Sequence, residues 1–245
     1  MKKVFFLSLM LSVLNVCWGQ SIGINDSTKS FKNPGAGMHL IFPKVEFASS
    51  SGLNPLLSQY DYPTLPKSTL NWGLGIQYRW GFFLVNADLM LAHQHRENME
   101  IGTELRRSVL STNLLLSYYV HDVKINDSRS MYFYPFFGIY TNDTNLFLSR
   151  SSSDQSIEAL LATPENTLQL EHFAGGFAIG LGVDITSLFE ESAGIVSLKI
   201  GYRVNPENGY TWESSFTNIS GLPSDSLNQF FIQLNAIGGV VNWKR

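Results

Sequence analysis

The segment Ser68–Trp80, "STLNWGLGIQYRW", alternates almost without fault. Leu70, Trp72, Leu74, Ile76, Tyr78 and Trp80 share one parity, and Asn71, Gly73, Gly75, Gln77 and Arg79 share the other. Successive side chains of an extended strand point to opposite faces, so this strand has one large apolar face and one small or polar face. A water-soluble barrel or sandwich turns the apolar face inward. A membrane barrel turns it outward to lipid and lines its lumen with the polar face. Which face is outside therefore decides both the fold and the solvent it is built for.

The same period of two recurs along the chain. Eight stretches read as strands: Gly35–Phe42, Ser68–Trp80, Phe82–His93, Val109–Val120, Met131–Thr141, His172–Ile185, Ile195–Val204 and Gln229–Val240. Pro43 is expected to close the first, because proline cannot donate to a ladder. Gly81 marks a tight hairpin between the second and third. The fifth is aromatic on both parities and carries Pro135. Long links (Pro43–Lys67, Gln94–Ser108, Asn142–Glu171, Asn205–Asn228) alternate with short ones (Gly81, His121–Ser130, Thr186–Gly194). That alternation predicts an eight-stranded antiparallel up-and-down transmembrane β-barrel with long extracellular loops. A short helix is expected across Ile157–Ala162.

The first twenty residues, "MKKVFFLSLMLSVLNVCWGQ", carry Lys2 and Lys3, an apolar run from Val4 to Val13 and a processing region. This is the order of a secretory signal peptide, and the run is too short for a spanning helix. Residues 1–20 are expected to be removed, 21–34 to form an N-terminal periplasmic segment, and 35–245 to form the barrel. Cys17, the only cysteine, lies inside the signal. Lipidation at Cys17 is a minor alternative, because bulky Val16 stands where lipoprotein signals carry a small residue. Without Cys17 the mature chain has no thiol for a disulfide, a metal or a nucleophile. Loss of Lys2 and Lys3 leaves 15 of 17 basic residues against 20 acidic ones, moving the formal charge from −3 to −5. Mild acidity without a basic stripe argues against a nucleic-acid partner.

The small parity decides the opening question. Gly73, Gly75, Gly176, Gly180, Gly182 and Gly201 lie opposite bulky residues and are interleaved with Arg79, Asp184, Lys199 and Arg203. Glycine and charge cannot fill a soluble barrel's core. Turned the other way, Leu, Ile, Val and Phe meet lipid, and Trp72, Tyr78, Trp80, Tyr118, Tyr119 and Tyr202 form interfacial girdles. The signal peptide, the eight alternating strands and stretches such as "YPFFGIY" and "FAGGFAIGLGVDI" resemble the small outer-membrane β-barrel superfamily of Gram-negative bacteria, which includes the transmembrane domain of outer-membrane protein A. The resemblance implies an outer-membrane location, contact with outer-membrane lipid, and insertion by the barrel-assembly machinery. One departure is the ending "VVNWKR", with Trp243 in place of a terminal aromatic residue.

For chemistry, the expected interior is a polar lumen network of Asn71, Gln77, Arg79, Asn86, Asp88, Asn113, Asp184, Lys199, Arg203, Gln233 and Asn235. Buried charges must pair, so Asp88 or Asp184 is expected within reach of Arg79, Lys199 or Arg203. His93 and His95, with Glu97 and Glu100 nearby, form a weak metal-like cluster at a strand end, where solvated His and Glu are ordinary. His39, His172, Asp88 and Asp184 with Ser111 or Ser117 suggest a hydrolase-like set, but no GxSxG or HExxH occurs. Sequons at Asn25, Asn126, Asn142 and Asn218 read as products of Ser- and Asn-rich loops.

The reading is a non-enzymatic, monomeric outer-membrane protein with no catalytic residues, cofactor or metal. Its loops would serve envelope structure, contact with a surface or periplasmic protein partner, or accessory transport and secretion. The alternatives are a secreted lipocalin-like barrel for a small apolar ligand and a lipid-modifying barrel enzyme.

Overall fold

The computed structural model describes residues 35–48, 51–125, 130–150, 167–186, 195–205, 210–214, 221–225 and 228–241. The elements are β1 (Gly35–Ala48), α1 (Asn54–Gln59), β2 (Ser68–Trp80), β3 (Phe83–Asn98), β4 (Thr103–Tyr118), β5 (His121–Lys124), β6 (Ser130–Arg150), β7 (Thr167–Thr186), β8 (Ile195–Val204), β9 (Tyr210–Thr211), β10 (Ser224–Asp225) and β11 (Gln229–Val241). The expected signal peptide, residues 21–34, Cys17, the helix at Ile157–Ala162, the sequons at Asn25, Asn126 and Asn218, and Trp243 lie outside the described residues.

Eight strands, β1, β2, β3, β4, β6, β7, β8 and β11, close into an antiparallel barrel. Sequence neighbours pair, β1 with β11 joins the two ends, and β4 with β6 completes the ring. The short β5 continues the line of β4 along the edge of β6, where His121 faces Phe133. Following Cα partners from Met38 leads through Ile76, Ala87, Leu114, Ile139 and Phe177 to Val204. The path starts low on β1 and ends at the top of β8, the stagger that tilted strands need to close.

Strand ends depart from the sequence expectation in a consistent direction. Pro43 does not end β1. It sits in a register shift between Ile41 and Lys44, after a cis Phe42–Pro43 bond, and the strand resumes to Ala48. A bulge is where a strand tolerates a residue without an N–H. The expected link Gln94–Ser108 is no loop. β3 and β4 pair from Phe83↔Tyr118 to Asn98↔Thr103 and turn at Met99–Gly102, where Gly102 has a φ of +70°. β6 likewise runs to Arg150 and β7 begins at Thr167. The residues there read as loop because above the belt the outer face turns polar and the apolar side chains, Leu105, Leu146, Leu148 and Leu170, move to the inner face.

The exterior is apolar. On β2, Leu70, Trp72, Leu74, Ile76 and Trp80 are exposed while Asn71, Gln77 and Arg79 are buried. Leu89, Leu91, Leu116, Phe137, Ile179, Leu181 and Ile200 extend the belt round the ring. The run from Leu70 to Trp80, tilted about 40° to the axis, rises roughly 25 Å. Aromatic groups gather at both margins. Trp80, Phe82, Phe83 and Tyr118 lie at the end with the Gly81 turn, with Phe83 and Tyr118 edge to face at 5.2 Å. Phe47 and Phe230 meet at 6.0 Å at the other end. Trp72, Trp80, Tyr118 and Tyr202 are outward, and Tyr78 is half-buried. Tyr119 corrects the expectation: it is 4% exposed and points inward, one residue past the outward Tyr118.

Among the described residues, two apolar clusters sit inside. The lower one joins Leu84, Leu115, Tyr119, Tyr134, Phe136 and Phe231. It fits because the neighbouring strands β7 and β8 carry glycine beside these rings: a Cβ at Gly182 would run into the Tyr134 ring, and one at Gly180 or Gly201 into Phe136. The aromatic residues on the second parity of β6 are therefore interior filling, matched to the small parity of β7 and β8. The upper cluster joins Leu53 and Leu57 of the α1 segment, Leu65, Leu105, Leu146, Leu148, Leu170 and Trp212. It lies over the inner face of the extended β4–β6–β7 wall. Gly182→Ala is predicted to lower the folded yield sharply, and Tyr134→Ala in the same chain to restore it, as read by the unboiled-gel fraction of folded protein.

Candidate functional site

All eleven expected lumen residues are buried on the inner wall. They form three levels rather than one network. At the bottom, Arg79 donates Nε–H to the Gly81 carbonyl at 3.2 Å and lies over the Tyr119 and Tyr132 rings at 4.7 and 5.4 Å. Asp184 accepts hydrogen bonds from the hydroxyls of Tyr119 at 2.5 Å and Tyr134 at 2.9 Å, and Tyr134 also meets Ser197 at 2.8 Å.

Above it, Asp88 bonds to His39 Nε2 at 2.8 Å through one oxygen and accepts from Gln233 Nε2 at 3.1 Å through the other. Gln233 also donates to Asn235 at 3.0 Å and is the register partner of Lys199. Lys199 is fully buried, and its Nζ has no hydrogen-bond partner among the described residues; its charge acts on Asp88 through space.

Higher still, Arg203 crosses the lumen. One nitrogen of its fork donates to Asn113 at 2.8 Å, the other to Asn142 at 3.1 Å, and the latter also meets Glu46 at 2.7 Å. The guanidinium lies 4.5 Å from the Tyr140 ring centre. Glu46 takes a second cation, Lys44, at 2.8 Å. Three walls, β1, β4 and β6, thus converge on one residue of β8.

The expected pairing of Asp88 or Asp184 with Arg79, Lys199 or Arg203 is not made by direct ion pairs. Asp88 takes a histidine and an amide, Asp184 takes two phenols, and the carboxylate that holds Arg203 is Glu46. Lys44 and Glu46 escape a period-two reading that ends the first strand at Pro43. The signal was present: Lys44, Glu46 and outward Val45 and Phe47 keep period two once one residue is allowed for a bulge. The Asn142 sequon corrects its reading as loop: Asn142 is buried on β6 and accepts from Ser111 at 2.5 Å.

The hydrolase-like set does not assemble round His39. Ser111 bonds to Asn142, and the Nδ1 of His39 has no hydrogen-bond partner among the described residues. His172 lies higher, its ring 4.9 Å from that of Trp212. Of the weak metal-like cluster, His93 meets Ser108 at 3.1 Å and His95 meets Glu97 at 2.9 Å. The second acid is Glu104 across the hairpin, 2.7 Å from His95, and not Glu100. Glu104 also accepts from Arg106 Nε and from Ser149. The Arg106 hydrogen bond holds the Glu104 carboxyl below the usual carboxylate range. Whatever this exposed pair adds to the hairpin is present above the ordinary carboxylate pKa and lost as pH falls through the folded value.

No family model matches the chain, and no curated protein matches it. Solved structures similar in fold include the attachment invasion locus protein Ail of Yersinia pestis, at 11% identity and a TM-score of 0.45 in its complex with the heparin analogue sucrose octasulfate, covering 85% of this chain and 99% of Ail. Others are the Neisserial surface protein A, at 9% identity and 0.37 over 84% of this chain and 94% of that one, and OprG of Pseudomonas aeruginosa, at 16% and 0.40 over 87% and 97%. The barrel is read from this chain's own closed ladder and not from these likenesses.

Breaking a buried ion pair strands the surviving charge, which costs about 3–5 kcal/mol. Glu46→Gln, which leaves both Arg203 and Lys44 without a carboxylate, is predicted to destabilise the barrel by that order in reversible urea unfolding. Adding Arg203→Met and Lys44→Met is expected to recover most of the loss, since the triple variant leaves no orphaned charge at this site.

Proposed function

We propose that the chain is a monomeric, non-enzymatic integral outer-membrane protein whose rigid wall carries a folded surface cap. The observation that carries this is the inversion of the barrel: a belt of exposed Leu, Ile, Phe and Trp outside, and buried Arg, Lys, Asp and Glu inside. In water the outer belt would be an apolar patch far larger than soluble monomers expose. In a bilayer it is the required surface, and the closed ladder leaves no backbone group unpaired at an edge. The girdles at both margins suit the two headgroup layers.

The short-turn end, with the start of β1 and the end of β11, faces the periplasm. The α1 segment, the β3–β4 hairpin and the β8–β11 link face outward, where they meet a surface partner or stabilise the envelope. The barrel-assembly machinery inserts the chain, and outer-membrane lipid is its constant partner. The lipocalin-like alternative would leave Leu74 and Trp72 in water and put Arg203, Lys199 and Asp88 where an apolar ligand would lie.

Two results test the proposal. Fractionation is expected to recover the protein in the outer membrane, with a gel mobility that changes only on boiling. Leu74→Arg, in the middle of the belt, is predicted to cost about 2–4 kcal/mol in vesicles. Recovery as soluble periplasmic protein would overturn the proposal, as would an unchanged stability of Leu74→Arg.

A further inference from the structure

The polar middle of the lumen lies between two apolar layers, and each has a distinct fastening. Below it, Tyr134 and Phe136 of β6 lie over the glycines of the neighbouring β7 and β8, and with Leu84, Leu115 and Phe231 of β3, β4 and β11 they form one apolar cluster inside the barrel. Above it, the α1 segment folds inward over the wall. Its Leu53 and Leu57 pack on Leu105, Leu146 and Trp212.

The upper layer is latched by one carboxylate. Asp225 of β10 is buried and accepts from Ser51 Oγ at 2.5 Å, from the Gly52 amide at 2.5 Å and from Trp212 Nε1 at 2.8 Å. These bonds tie the start of the α1 segment to the β8–β11 link. Further ties run to the wall: Thr103 Oγ1 donates to the Asp61 carbonyl at 2.6 Å and Arg150 to that of Tyr60 at 2.9 Å.

We propose that the barrel is a latent pore for small anions, shut at two levels in series by the Asp225-latched cap and the Tyr134–Phe136 plug. An eight-stranded barrel is just wide enough for side chains to fill, so a passage exists only where side chains leave. Truncating the two rings opens a groove along the glycines, and releasing the cap opens the upper mouth. Either opening alone leaves the other layer shut. Between the layers, a passing ion meets Lys44, Lys199 and Arg203 against Glu46 and Asp88, three cations to two anions, with Lys199 lacking a direct carboxylate partner among the described residues. The excess favours chloride over potassium. This rests on the reading that the barrel spans a membrane.

The test compares four full-length proteins refolded into lipid vesicles and fused to planar bilayers in potassium chloride. They are the unmodified chain, a cap variant (Asp225→Ala, Trp212→Ala), a plug variant (Tyr134→Ala, Phe136→Ala) and the combination. Vesicle flotation and the boiling-dependent gel shift report insertion. Only the combination is expected to conduct, at least tenfold above the other three, with a reversal potential in a salt gradient of the sign for chloride. Steady conductance by the unmodified chain or by either single-layer variant would overturn the two-layer seal, and so would silence of an inserted combination. Failure of all four to insert overturns instead the membrane reading beneath it.

A second measurement does not depend on the combination folding. With Cys17→Ser and Asn71→Cys, between the layers, a charged thiol reagent added to vesicles is expected to leave the thiol unmodified while the cap is latched, and to modify it once Asp225→Ala and Trp212→Ala are added. Equal modification in both would overturn the cap as a seal.

Discussion

A strand with a free edge cannot sit in hydrocarbon, because each unpaired amide or carbonyl there costs several kcal/mol. The pairings of β1 with β11 and of β4 with β6 remove both edges at once, and most of what distinguishes this molecule follows from them. Closure with eight strands fixes the bore. A fixed narrow bore forces every interior side chain to be matched in size to the one facing it. The apolar parity, which would crowd such a bore, is left outside.

Interior matching is of two kinds. Where β7 and β8 supply glycine, β6 supplies Tyr134 and Phe136, and shape does the work. Where the wall supplies charge, Arg203 joins β1, β4 and β6 through Glu46, Asn113 and Asn142, and electrostatics does it. A ring that lies across glycine tolerates little change on either side. A charge held by three walls tolerates loss of the whole set better than loss of one member. The cap adds a third device above the belt, where water replaces lipid and the β4–β6–β7 wall needs an apolar cover of its own.

Much of the fold was legible in the alternation itself. The strands Ser68–Trp80 and Ile195–Val204 appear with the expected ends, and the small parity did mark the inside. What the sequence hid has physical causes. Pro43 looked like a terminator because the bulge that accommodates it exists only in the paired sheet. The upper parts of β4, β6 and β7 looked like loop because above the belt the apolar parity switches from the outside to the inside, as at Leu105, Leu146 and Leu170, and so breaks the pattern of the strand below. Glu46 and Glu104 were missed for related reasons, one lying past the bulge and the other across a hairpin. The aromatic residues on both parities of β6 seemed untidy because Tyr134, Phe136 and Tyr140 fill the interior while Phe137 belongs to the outer belt. The cap was not legible, since Leu53, Leu57 and Trp212 come together only after the ring has closed.

The central claim is that the large parity meets lipid and the cap lies apart from it. Two single-tryptophan proteins, one keeping Trp72 and the other Trp212, can be refolded into vesicles containing lipids brominated along their acyl chains. Strong quenching of Trp72 and little quenching of Trp212 are expected, with neither reached freely by iodide in the water. An unquenched Trp72 that iodide reaches would contradict the claim, because the exposed face of β2 would then lie in water.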